Sequence, residues 1–201
     1  MSDNQGLRLE AVHICLGDRV LVMLDATVRR GETLTVMGPS GSGKSTLLAE
    51  LSRRGVTTVE EVARTILRSA GGMALREEDP LAFADAMLSA QLAAWDETRV
   101  DGPVVFDRGF PDIAGFLRVE GLPVSDAIAR ACEEYRFDGP IFRAPPWRAI
   151  YTPDDERIQD WQEAIASDRA VCGAWRDHGY ALIDLPLVPA EERASFILAR
   201  L

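Results

Sequence analysis

The sequence is poor in the features that a secreted or membrane-embedded chain needs. Its three cysteines, Cys15, Cys132 and Cys172, are odd in number and far apart. That excludes a disulfide framework and a zinc site and fits a reducing compartment. No apolar run approaches the roughly 18 residues of a membrane span. The opening Met-Ser-Asp-Asn-Gln-Gly carries no Lys or Arg and does not read as a signal peptide. Positive charge is also scarce: Lys plus Arg number 22 against 32 Asp plus Glu, a net charge of −10. Such a chain has no broad field to attract nucleic acid or anionic lipid. What is present is ordinary globular composition, 47% hydrophobic and 27% charged, which implies one domain over residues 1–201. A cytoplasmic, soluble protein is the expectation.

Against that acidic background a phosphate ligand needs a local positive site, and one motif supplies it. Gly38-Pro39-Ser40-Gly41-Ser42-Gly43-Lys44-Ser45 satisfies G-x-x-x-x-G-K-[ST] at every fixed position. The apolar run Thr33 to Met37 before it reads as a buried strand, and Ser45 to Arg54 after it as a helix closed by Gly55. Glycines let backbone N–H groups converge on one phosphate, and the helix N-terminus adds positive potential. Lys44 is placed to reach the β- and γ-phosphates of ATP. Ser45 is placed to ligate Mg²⁺, with Thr46 completing the cofactor-binding segment.

The rest of the chain alternates strands and helices. Short strands are predicted at Val56 to Thr58, Val104 to Phe106, Ile141 to Ala144 and Ala181 to Leu185. Thr58 and Glu61 have capping-box spacing, which predicts a helix with Val59, Val62, Ala63, Ile66 and Leu67 inward and Gly71-Gly72 ending it. Asp79-Pro80 predicts a capped helix with Leu81, Ala84, Leu88, Leu92 and Trp95 along its apolar face. Pro153 to Trp175 reads as mainly helical, and so does Glu191 to Leu201. Before all of these, Leu7 to Cys15 and Val20 to Val28 form an antiparallel hairpin about Gly17-Asp18, expected at a sheet edge. The fold class is therefore α/β: a P-loop NTPase, three-layer αβα, with a mostly parallel sheet and an added N-terminal antiparallel hairpin over residues 7–30.

Asp107 ends the third apolar run, at the carboxyl edge of the sheet where ligands of doubly wound folds bind. It is a candidate to hold Mg²⁺ or to act as a base toward a hydroxyl. Arg108 follows where many P-loop hydrolases place a Glu. An arginine cannot be a base at neutral pH, but it can clamp a phosphate. The Asp-Arg pair resembles that of nucleoside and nucleotide kinases.

Two resemblances divide the chain. From Leu7 to about Leu48 it looks like the start of an ABC-transporter ATPase. From Gly38 to Leu201 it is similar to AAA-domain predicted ATPases, P-loop kinase-like proteins related to ribosylnicotinamide kinase. "GVTTVEEVARTILR", "VVFDRGFPDIAGFLRVEGLP", "FRAPPWRAIYTPDDERIQDW" and "GYALIDLPLVPAEERASFIL" carry the second. It outweighs the first, because the chain has no LSGGQ-type signature and its Asp107 is followed by Arg. The second resemblance implies further site residues: Glu61 and Arg64 facing an acceptor pocket, Asp112 beside them, and Arg157 in a lid-like segment over residues 142–161. Each has a plainer reading: Glu61 as the fourth residue of the capping box, Asp112 as the N-cap of the next helix, Arg64 in a helix-surface ion pair, and Arg157 in a solvated charge run after Asp154, Asp155 and Glu156. Arg143 and Arg148 lie near the lid, and Trp147 and Trp161 either pack it or stack a base. The expected activity is phosphoryl transfer from MgATP to a small hydroxyl-bearing, nucleoside-like acceptor. An ATP-hydrolysing regulatory switch is the alternative, and an ABC-type nucleotide-binding module a more distant one.

Overall fold

The computed structural model describes residues 7–16, 19–28, 33–98, 102–151 and 161–200. The Gly17-Asp18 turn and Arg157 lie outside them. Strands β1 (Leu7–Leu16) and β2 (Arg19–Val28) run antiparallel to each other. Among the described residues they form a two-stranded sheet of their own, with no ladder to the main sheet. The expected place of this hairpin at an edge of the main sheet is not shown. The main sheet's edge strands are only three residues long.

The main sheet is parallel throughout, in the order β4-β5-β3-β6-β7. Its strands are β3 (Thr33–Met37), β4 (Thr57–Val59), β5 (Val104–Asp107), β6 (Ile141–Arg143) and β7 (Leu182–Asp184). The chain leaves β3 toward β4 on one side, and β6 and β7 lie on the other. The order therefore switches at the carboxyl end of β3, where such sheets open a crevice.

Alternation along the strands divides the core between two faces. Val104 and Phe106 join Phe83, Phe110, Leu117 and Trp175 on one side. Leu34, Val36 and Val105 join Leu47, Leu51 and Ile197 on the other. The first cluster belongs to α4 (Pro80–Glu97), α5 (Phe110–Val119), α6 (Asp126–Glu134) and α7 (Trp161–Asp177). The second belongs to α1 (Lys44–Arg53) and α8 (Ala190–Leu198). Both faces of the sheet are thus covered. Within the first cluster, Trp95 meets the rings of Phe106, Phe110, Tyr135 and Phe137.

Local signals are partly confirmed. Asp79 accepts the Ala82 N–H at 3.0 Å, as an N-cap before Pro80 should. Three expectations are corrected. Thr58 lies within β4, and Glu61 flanks α2 (Val62–Arg68) without a side-chain cap bond, so there is no capping box. Glu61 has a stronger partner in Arg108. Gly71-Gly72 does not close the helical region but begins a further helix, α3 (Gly72–Glu78). Leu81 is 44% exposed; Phe83 and Met87 take the inward positions.

Candidate functional site

The glycine loop runs from the buried end of β3 to the first turn of α1. Gly38, Gly41 and Gly43 all have positive φ, at 144°, 80° and 80°. Gly38 has a second constraint, because a Cβ there would collide with the carbonyl oxygen of Ala144. That same Ala144 donates its N–H to Met37 at 2.7 Å. A side chain at Gly38 must therefore push β3 and β6 apart at the loop's root. Gly38→Ala is expected to cost about 2–3 kcal/mol from strain and steric overlap, read by urea unfolding, and to abolish nucleotide binding.

Lys44 is 5% exposed and is the only lysine in the sequence. Its Nζ donates to the Pro39 carbonyl at 3.2 Å and lies 4.0 Å from Asp107 Oδ1. Burial, and then repulsion from Arg108, hold its pKa below the usual lysine range. Ser42 Oγ closes the loop onto the same Pro39 carbonyl at 2.9 Å. From behind, the buried Arg193 of α8 donates Nη1 to the Ser42 carbonyl at 2.8 Å. Arg193 also lies 5.7 Å from the centre of the Trp147 ring.

Asp107 is buried beneath Lys44, and its Oδ1 accepts no hydrogen bond. Burial pushes its carboxyl up to about 6, against the pull of Lys44. Arg108 follows in a left-handed conformation, φ 76°, which is uncommon for a residue with a side chain. Its N–H bonds the Val36 carbonyl at 3.0 Å. The guanidinium then reaches between two carboxylates: Nε donates to Glu61 Oε1 at 2.7 Å, and Nη1 to Asp112 Oδ1 at 3.2 Å.

Burial alone would raise the pKa of Glu61. The attraction of Arg108, then of Lys44 and Arg64, outweighs it and keeps Glu61 ionised below the usual carboxylate range. Asp112 has two duties. Its Oδ2 accepts the Gly109 N–H at 3.0 Å, capping α5, and the Trp175 indole N–H at 2.9 Å. Burial raises its pKa, opposed by Arg108 and by that indole. The expected N-cap is not Asp112 but Gly109, which Asp112 caps from the third position of α5. Arg64 donates Nη1 to Ser45 Oγ at 3.1 Å and lies 4.0 Å from Glu61.

These residues converge on one cleft of about 530 Å³. Ser40, Gly41 and Gly43 to Thr46, with Lys44 and Ser45 among them, form part of its wall, and Glu61, Arg64, Arg108 and Asp112 another part. Asp107 stays behind Lys44 and is not on the wall. Arg143 is committed elsewhere: it pairs with Asp168 at 2.7 Å and with Asp184 at 2.9 Å. Arg148 stacks over Trp161 at 5.0 Å. Sequence reading passed over Arg193 and Trp175. Nothing in "EERASFIL" marks an arginine that will reach a loop about 150 residues earlier in the chain.

A parallel five-strand sheet with a glycine loop at its switch point, leading into a helix, is an α/β fold of the P-loop type. Within it the chain belongs to a family described as AAA domain, whose profile matches residues 33–193. No curated protein matches in sequence. Among solved structures, the chain is similar to deoxyadenosine kinase from M. mycoides with bound dATP. The TM-score is 0.63 at 13% identity, over 83% of this chain and 97% of that one. It is also similar to NadR protein in complex with NR, with TM-score 0.64 at 18% identity over 85% of this chain. That match covers 49% of NadR, so the chain spans about half its length. Thymidylate kinase from Candida albicans has TM-score 0.58 at 12% identity, over 84% of this chain and 90% of that one. At these identities the likeness is one of fold. Among the described residues, no helix is long and apolar enough to cross a membrane.

Proposed function

We propose that the protein transfers the γ-phosphoryl group of ATP to the hydroxyl of a small, nucleoside-like acceptor. The observation that carries this reading is that the loop lysine and the Glu61–Arg108–Asp112 cluster wall the same cleft. Loop amides between Gly38 and Thr46, with Lys44, bind the β- and γ-phosphates. Ser45 and Asp107 would hold Mg²⁺; the undonated, buried Oδ1 of Asp107 fits that role. The ion supplies charge neutralisation across the phosphates when bound.

Glu61 receives the hydroxyl of the acceptor on Oε2, the oxygen that Arg108 Nε does not use. The acceptor oxygen bonds to the γ-phosphorus, the bond to the β–γ bridging oxygen breaks with its electron pair leaving on ADP, and the proton passes to Glu61. A loose transition state asks little of a base, so a firmly ionised carboxylate suffices. Arg108 stabilises charge on the transferring group. Arg157 stands as the lid arginine, Arg64 positions Ser45 and Glu61, and Asp112 holds Arg108. The structural neighbours named as deoxyadenosine and thymidylate kinases support a nucleoside-like acceptor.

A thermal-shift screen with MgATP and a metabolite panel tests this, since ligands of the native state raise its apparent stability. Each hit is then assayed for transfer of labelled γ-phosphate. Labelled product with one class of acceptor is the expected result. ATP consumption at one rate with every acceptor, and no labelled product, would instead establish the hydrolytic switch.

A further inference from the structure

Arg193 stands where the rules of stability disfavour a cation. It closes the first turn of α8, against the helix dipole, and is 1% exposed. Among the described residues its side chain makes one hydrogen bond, from Nη1 to the Ser42 carbonyl at 2.8 Å. Its Nε and Nη2 are buried without an acceptor. The Trp147 ring centre lies 5.7 Å away, at the outer limit of a cation–π contact. Among the described residues no carboxylate pairs with it, and burial alone lowers its pKa. An arginine keeps its charge even so. For the packing of α8 an apolar side chain of similar size would serve better. What Arg193 holds accounts for its place. Ser42 is buried and does not line the cleft, whereas Gly43 does. Among the described residues every peptide bond is trans, and a trans peptide points its C=O and N–H to opposite sides. With the Ser42 carbonyl turned to Arg193, the Gly43 N–H turns away from α8. No backbone carbonyl among the described residues accepts that N–H. A Cβ at Gly43 would lie 3.1 Å from Arg193 Nη1, so the guanidinium rests directly against this peptide.

We infer that Arg193 is a positioning residue for the triphosphate: it fixes the Ser42–Gly43 peptide so that the Gly43 N–H faces the phosphate chain, and that chain is the counter-charge its guanidinium lacks. This rests on the reading that the loop binds ATP, and it adds to the loop a residue from outside the motif. Arg193 acts through the peptide and does not touch the nucleotide. In the free protein its charge is unanswered. When phosphates arrive on the far side of the loop, a low-dielectric interior carries their attraction to it. The same side chain thus tightens nucleotide binding without stabilising the free fold.

Arg193→Met and Arg193→Lys test this against the native chain. Each protein is melted without nucleotide. Each is then titrated by calorimetry with Mg·AMP-PNP and with magnesium tripolyphosphate, which has the phosphate chain and no base. The inference expects Arg193→Met to melt within about 3 °C of the native chain or above it. It also expects Arg193→Met to bind both ligands at least about tenfold more weakly, the scale of a lost charge-assisted hydrogen bond. Arg193→Lys restores one charged donor and should recover most of that affinity. If Arg193→Met melts well below the native chain or does not fold, Arg193 is an anchor of the structure and the inference is overturned. It is overturned equally if Arg193→Met binds both ligands as the native chain does, or if Arg193→Lys binds no better than Arg193→Met. Loss of AMP-PNP with tripolyphosphate binding kept, or a native chain that binds AMP-PNP and not millimolar tripolyphosphate, would move the effect to the base and also overturn it. In each of these cases ATP binding by the protein stands. If the native chain binds neither ligand, both readings are overturned.

Discussion

Arg108→Met should lower the stability of the free protein by about 3–5 kcal/mol, the usual consequence of leaving buried carboxylates without their cation. For a chain of this size that is a fall in Tm on the order of 10 °C. The guanidinium is only 20% exposed, and its partners Glu61 and Asp112 are 15% and 6% exposed. The cluster is therefore poorly screened by solvent. Arg108→Gly removes the same charge but also the left-handed strain at φ 76°. It should be less destabilising than Arg108→Met by about 1 kcal/mol. Adding Glu61→Gln to Arg108→Met should recover part of the loss, because one buried charge then needs no partner. Chemical unfolding of the four proteins measures all of this. A Tm change under about 2 °C for Arg108→Met would mean that the carboxylates are hydrated and the cluster is no organised unit.

Lys44→Ala should reduce phosphoryl transfer by about 10³-fold or more, the scale on which preorganised cations act in such transition states. The ammonium is already poised: it lies on the Pro39 carbonyl, is desolvated, and is 4.0 Å from Asp107. An incoming triphosphate needs it to turn only from one oxygen to another. The truncation leaves the glycine backbone and α1 in place, so far-ultraviolet circular dichroism should be unchanged while labelled transfer disappears. Activity within tenfold of the native protein would remove Lys44 from the chemistry.

The parts of the site that were legible in the sequence share one property: their signals are local. The loop, its strand and its helix are contiguous, and their composition forces the turn. Asp107 and Arg108 were readable because a short apolar run aims its last residue at the sheet's carboxyl edge. Asp79-Pro80 announced α4 for the same reason. What failed depended on partners distant in sequence. Glu61 has the spacing of a cap, yet it turns to Arg108, 47 residues on, because a buried guanidinium is a better partner than an N–H that solvent can satisfy. Asp112 is not the N-cap itself but caps Gly109 from the third position of α5, and it also meets Arg108 and Trp175, the latter 63 residues away. Arg193 reaches the loop across 151 residues from a helix whose sequence looks like any charged surface segment.

The single lysine permits the most direct test of the central claim, that the glycine loop grips a triphosphate. Protein labelled only with ¹⁵N-lysine gives one backbone amide resonance, that of Lys44 at the first residue of α1. The account predicts that Mg·AMP-PNP displaces this resonance in a saturable titration, while magnesium alone does not. A resonance that stays in place at millimolar nucleotide would contradict it.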